Sequence, residues 1–102
     1  MGLELDSQIT GTTARVELRG DVDMATAPEL RRVLDELIDG GATEIVLGCR
    51  HLEFLDSSGI GVLVAARTRV GAEGVIALEA PHANVRKVLE VTGVDRELSI
   101  RP

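Results

Sequence analysis

The sequence predicts an α/β fold, a mixed sheet of four to five strands with helices packed mainly on one face. Three observations carry that prediction. Apolar and charged residues alternate strictly over residues 14–19, which describes a strand with one buried face and one wet face. Short apolar runs at residues 43–47 and 75–78 read as buried strands. Segments of helical spacing separate those runs, and strand–helix–strand units favour parallel pairing through right-handed crossovers.

The elements follow in order. Residues 3–9 form a first apolar segment, and Thr10-Gly11-Thr12 turns it into the alternating strand as a hairpin. Gly20-Asp21-Val22-Asp23 reads as a loop. Thr26 and Glu29 then have the spacing of a capping box, with Pro28 in the first turn, where its missing N–H loses nothing. Losing that cap through Thr26→Ala would cost about 1 kcal/mol. Leu30, Val33, Leu34, Leu37 and Ile38 mark the buried stripe of this first helix, and Gly40-Gly41 ends it. After the strand at 43–47, residues 48–54 are expected as a loop. A second helix follows over residues 60–70, with Ile60, Leu63, Val64 and Arg67 in register. Pro81 stops the strand at 75–78. The third helix turns Val85, Val88, Leu89 and Val91 inward and ends at Gly93, and residues 98–100 add a possible last strand.

Composition narrows the function. The chain has 102 residues, 44% of them apolar, which suits one domain over residues 1–102 and one core. Eleven Lys+Arg against 17 Asp+Glu leave a net charge of −6, and Phe54 is the only aromatic. An acidic surface without stacking platforms argues against nucleic-acid binding. The longest apolar run, residues 60–66, is too short to cross a bilayer, and residues 1–5 lack the basic start and apolar stretch of a signal peptide. The expected location is the cytoplasm, with no membrane partner. Cys49 is single and the two His are distant in sequence, so neither a disulfide nor a zinc site is expected, and no cofactor is implied.

One stretch concentrates suggestive residues: Asp56-Ser57-Ser58-Gly59-Ile60-Gly61, at a strand-to-helix junction. Free N–H groups and the positive end of the dipole at a helix start accept negative charge, so a phosphate on a serine there would be stabilised. Gly59 and Gly61 leave room for a second protein to approach. The competing reading is that Asp and Ser are simply the preferred helix caps. A serine nucleophile would need a nearby base, and nothing places His51 or His82 against Ser58. The Gly-x-Ser-x-Gly elbow and the phosphate-binding Gly-rich loop with Lys are both missing. An enzyme is therefore not expected; Ser58 reads as a group on which another protein acts. Asp21 and Asp23 alone make a poor calcium site, and Arg31-Arg32 reads as the solvated face of the first helix. Cys49 reads as a small, partly buried thiol.

Two stretches resemble the bacterial anti-sigma factor antagonists of the STAS domain family, named for sulphate transporters and anti-sigma factor antagonists. They are Phe54-Leu55-Asp56-Ser57-Ser58-Gly59-Ile60-Gly61 and Gly20-Asp21-Val22-Asp23-Met24-Ala25-Thr26-Ala27-Pro28-Glu29-Leu30, and the element order fits over essentially the whole chain. The resemblance implies a STAS-like domain that binds an anti-sigma factor, itself an ATP-dependent serine kinase, and so frees a sigma factor. It implies phosphorylation at Ser58, the serine before the motif glycine, and reversal by a metal-dependent serine phosphatase. Asp23 matches a family position close to the phosphoacceptor. The implied contact surface comprises Asp23, Asp56, Ser57, Gly59, Ile60 and Gly61. Many relatives carry Asp or Asn at the end of the third strand, where this chain has Gly48. The alternative within the family is a non-switching binding subunit of a transport system or a stress-sensing complex.

Overall fold

The alternating segment is realised as a long strand. In the computed structural model, which describes residues 2–102, β1 (Leu3–Thr10) and β2 (Thr13–Val22) form the expected antiparallel hairpin, with Thr10 opposite Thr13. Gly11 supplies the positive φ (64°) that so tight a turn requires. Ala14, Val16 and Leu18 are buried, while Arg15, Glu17 and Arg19 face the other side.

Then come α1 (Ala27–Asp39), β3 (Glu44–Leu55), α2 (Ser57–Val70), β4 (Val75–Glu79), α3 (Ala83–Thr92) and β5 (Ser99–Arg101). A 3₁₀ turn at Val94–Arg96 leads into the last strand. The five strands lie in the order β1-β2-β3-β4-β5, and β2 to β5 run parallel. Each crossover steps in the same direction, so right-handed connections put all three helices on one face. The buried residues of the helices and of the sheet face beneath them make one core, from Ala14 to Leu98.

The opposite face carries Arg15, Glu17, Glu44, Glu79 and Arg101, half-exposed and ion-paired: Arg15 with Glu17 (2.9 Å) and Glu79, and Arg101 with Glu44 (3.2 Å). These pairs hold Glu79 below the usual carboxylate range, its hydrogen bond from Arg15 contributing most.

Five local expectations need correction. Gly20, Asp21 and Val22 are not loop but the end of β2, paired with Leu52, Phe54 and Leu55. The third strand does not stop at residue 47 but runs to Leu55, because β2 is long enough to pair with it as far as Val22↔Leu55, with register shifts between Glu17 and Arg19 and between Gly20 and Asp21. Gly48 is therefore mid-strand, flanked by Glu17 and Glu79, and the Glu17 carboxylate fills the space a side chain at 48 would occupy. The capping box does not form. Thr26 has helical φ/ψ (−103°, −19°), not the extended backbone of a box-forming cap, and its hydroxyl turns back to the Asp21 carbonyl (2.8 Å) while Glu29 pairs with Arg32 (2.6 Å). Finally, α2 begins at Ser57, not residue 60, and Val91 points outward, 74% exposed.

Candidate functional site

The parallel strands all end at one edge of the sheet, and that edge holds the motif residues. Val22 and Leu55 are register partners, and the Asp56 N–H donates to the Val22 carbonyl (3.1 Å). The loop carrying Asp23 and the turn carrying Asp56, Ser57 and Ser58 thus leave the sheet side by side. Position in a shared strand end, not sequence distance, brings the two motif stretches together.

Asp56 caps α2. Its backbone is extended (φ −109°, ψ −170°) and its Oδ1 accepts from the N–H of Ser58 (2.8 Å) and of Gly59 (3.3 Å). Arg67 and Arg69 sit in the last turn, where cations suit the dipole. This corrects one electrostatic expectation. Two of the donors at the helix start, the Ser58 and Gly59 N–H groups, are already engaged by a carboxylate, so a phosphate on Ser58 would stand beside Asp56 and compete with it for them. Asp56→Ala should lower stability by about 1 kcal/mol, read from the urea midpoint. Unchanged stability would show that the cap bonds merely replace water.

Ser57 is exposed and Ser58 is half-buried. Among the described residues, no hydrogen bond engages either hydroxyl. Gly59 and Ile60 are buried, and Gly61 is exposed. Gly59 is demanded by packing. A Cβ there would overlap Leu55 Cδ1 and come within 2.7 Å of Val22 Cγ1, so the glycine lets α2 lie directly on the strand ends that support the serines.

Asp23 organises the neighbouring loop. Its Oδ1 accepts from the N–H of Ala25 (2.9 Å) and of Thr26 (3.0 Å), and its own N–H donates to Thr26 Oγ1 (2.9 Å). The Thr26 N–H, foremost, holds the Asp23 carboxyl below its ordinary range. The sign follows from linkage: the stability it contributes is present above the ordinary carboxylate pKa and is lost as pH falls through the lowered value. Asp23→Ala should therefore reduce the difference between urea midpoints at neutral and acid pH. An unaltered difference would mean that these bonds carry no net stability.

The remaining candidates make no hydrogen bond to Ser58 among the described residues. His51 is an exposed strand residue in register with Arg19, and the His82 Nε2 bonds the Arg50 carbonyl (2.6 Å). Cys49 is fully buried rather than partly so, and burial pushes its thiol up to about 12, which keeps it in the unreactive protonated form. Arg32 is the solvated residue expected, bridging Glu29 and Glu36 on the face of α1. No helix among the described residues is long and apolar enough to cross a membrane. Sequence reasoning passed over the exposed Met24 and Phe54 at this edge. The signal for Phe54 was its standing as the only aromatic.

Comparison with known proteins agrees with this layout. The anti-sigma F factor antagonist of Paenibacillus polymyxa is 28% identical over 102 residues, covering 98% of this chain and 87% of that one. The crystal structure of an anti-sigma factor antagonist from Mycobacterium paratuberculosis matches 99% of this chain and 86% of that one, with a TM-score of 0.90 and 24% identity, a likeness of fold. The unphosphorylated anti-sigma factor antagonist SpoIIAA superposes with a TM-score of 0.82 at 28% identity, over 97% of this chain and 87% of its own. The phosphorylated form of the Bacillus cell fate determinant SpoIIAA gives 0.73 at 25% identity, over 97% and 90%. The family model described as "Mlab, STAS domain" matches residues 5–102, and with the motif edge and the sheet order in place, the chain belongs to the STAS domain family.

Proposed function

We propose that this chain is an anti-sigma factor antagonist, a regulatory binding protein and not an enzyme, switched by phosphorylation of Ser58 in the cytoplasm. Unphosphorylated, it docks on an anti-sigma factor that is also an ATP-dependent serine kinase, and so releases a sigma factor. The kinase transfers the ATP γ-phosphoryl group to Ser58 Oγ, which loses its proton as ADP departs. A metal-dependent serine phosphatase restores the hydroxyl. The general role is supported by the names of the relatives, and the switch by SpoIIAA, which has a phosphorylated form.

One observation carries the reading. A half-buried serine hydroxyl, unengaged by hydrogen bonds among the described residues, stands at the start of α2, next to a capping carboxylate and beside the loop of Asp23. Phosphorylation adds roughly −1.5 to −2 charges there. With Asp56 already on two of the helix N–H groups, the dianion has a reduced backbone cradle and projects toward whatever docks. An interface fitted to a hydroxyl then faces charge that it must desolvate beside carboxylates.

The second reading is a non-switching binding subunit of a transport or stress-sensing complex. The same observation gives it a foothold, since an already occupied helix start has no need of a phosphate. Incubation with candidate anti-sigma kinases and ATP, followed by intact mass and phosphosite mapping, separates the two. The switch predicts one phosphate, at Ser58. Modification at Ser57 would displace the site by one residue, and an unmodified chain in stable complex would favour the second reading.

A further inference from the structure

We infer that Met24 and Phe54 are the apolar anchors of the docking surface, and that the partner offers them an apolar recess bordered by Arg or Lys side chains. The inference rests on the proposed role as an antagonist and adds the chemistry of the contact. Four large apolar side chains are exposed among the described residues. Ile9, beside the hairpin turn, and Val91, near the end of α3, stand apart from each other and from the motif edge. Isolated exposed residues of that sort are ordinary. Met24 (79% exposed) and Phe54 (48% exposed) share one corner. Phe54 is in register with Asp21, and the Asp21 carbonyl accepts from Thr26 Oγ1 in the turn that carries Met24.

Two further features distinguish this corner. The backbone at both residues is held before any partner arrives. Phe54 lies within β3, and the Met24 turn is pinned by Asp23 Oδ1 on the Ala25 and Thr26 N–H groups. A backbone already in place lowers the ordering cost of binding, and aromatic anchors are prominent in interface energetics. The rim is negative. Asp21, Asp23, Glu53 and Asp56 lie within three residues of Met24 or Phe54 and take part in no ion pair among the described residues. Glu4, Asp6, Glu73, Glu90, Asp95 and Glu97 share that state, but here four such carboxylates fall on two adjoining segments. An apolar centre with an acidic rim is complementary to an apolar recess with a basic rim.

The test measures affinity of the full chain for a panel of purified anti-sigma kinases at low and high salt. Phe54→Ser, Met24→Ser, Ser58→Ala and Ser58→Glu are compared, with Val91→Ser as a surface control and thermal melts to verify folding. Phe54→Ser and Met24→Ser should each weaken binding about tenfold, and Val91→Ser should leave it unchanged. Wild-type affinity should fall as salt rises. If Ser58→Glu weakens binding while both anchor variants bind like wild type, or if salt has no effect, the anchors or the basic rim are overturned and the antagonist reading stands. If the anchors matter but the two Ser58 variants bind alike, the surface stands and the switch falls. Absence of a complex with every kinase overturns both.

Discussion

Replacing Ser58 by glutamate should weaken binding to the anti-sigma factor about a hundredfold relative to Ser58→Ala, equivalent to about 3 kcal/mol. The alanine removes a hydroxyl that no described residue engages, so the domain loses nothing and the interface loses at most one hydrogen bond. The glutamate places a carboxylate at the start of α2, where the Asp56 Oδ1 already holds the N–H groups of Ser58 and Gly59. With those two donors taken, the added charge is only weakly matched locally and must be desolvated on docking. Isothermal titration of both variants against the same kinase reads the difference directly. Equal affinities would leave Ser58 as a surface residue and remove charge as the switch. Both variants should melt close to wild type, since α2 retains its cap and its buried Ile60, Leu63 and Ala66.

The second large effect belongs to Gly59. Gly59→Val should destabilise the protein by about 3 kcal/mol, at the upper end of overpacking costs. A Cβ at 59 would overlap the Leu55 side chain and crowd Val22, and both are buried in the core. A branched residue would push the start of α2 off the strand ends, displacing Ser58 with it. Gly48→Ala is the control. There the obstacle is the tip of the Glu17 side chain, a flexible end on a partly exposed side chain that can shift at the expense of its pair with Arg15, although its Oε2 is buried. The cost should stay at about 1 kcal/mol. Urea denaturation of the two variants decides the matter. If Gly59→Val matched wild type, α2 would have to sit farther from the sheet than described, and comparable losses at both glycines would remove the distinction between a fixed and a movable neighbour.

Periodicity made the fold legible where one element's own residues decide it. The strict alternation at residues 14–19 and the stripe of Leu30, Leu34 and Leu37 face the core as expected. It failed where a partner element decides. Nothing within residues 48–54 distinguishes loop from strand, because β3 is extended there by hydrogen bonds to the far half of β2. Thr26 and Glu29 have the spacing of a capping box, but spacing does not fix φ and ψ, and Asp23 supplies the bonds to the turn instead.

The same division holds for the site. The sequence alone determined the acidic, aromatic-poor composition, the serine pair ahead of a glycine at a strand-to-helix junction, and the family pattern in two separate stretches. These are properties of residue type and local spacing. Long-range packing set the rest: that the two stretches share one edge, that Asp56 already occupies the start of α2, and that Glu17 fills the space over Gly48. The physical reason is that each depends on contacts between segments far apart in the chain, which register and packing create and no local pattern encodes.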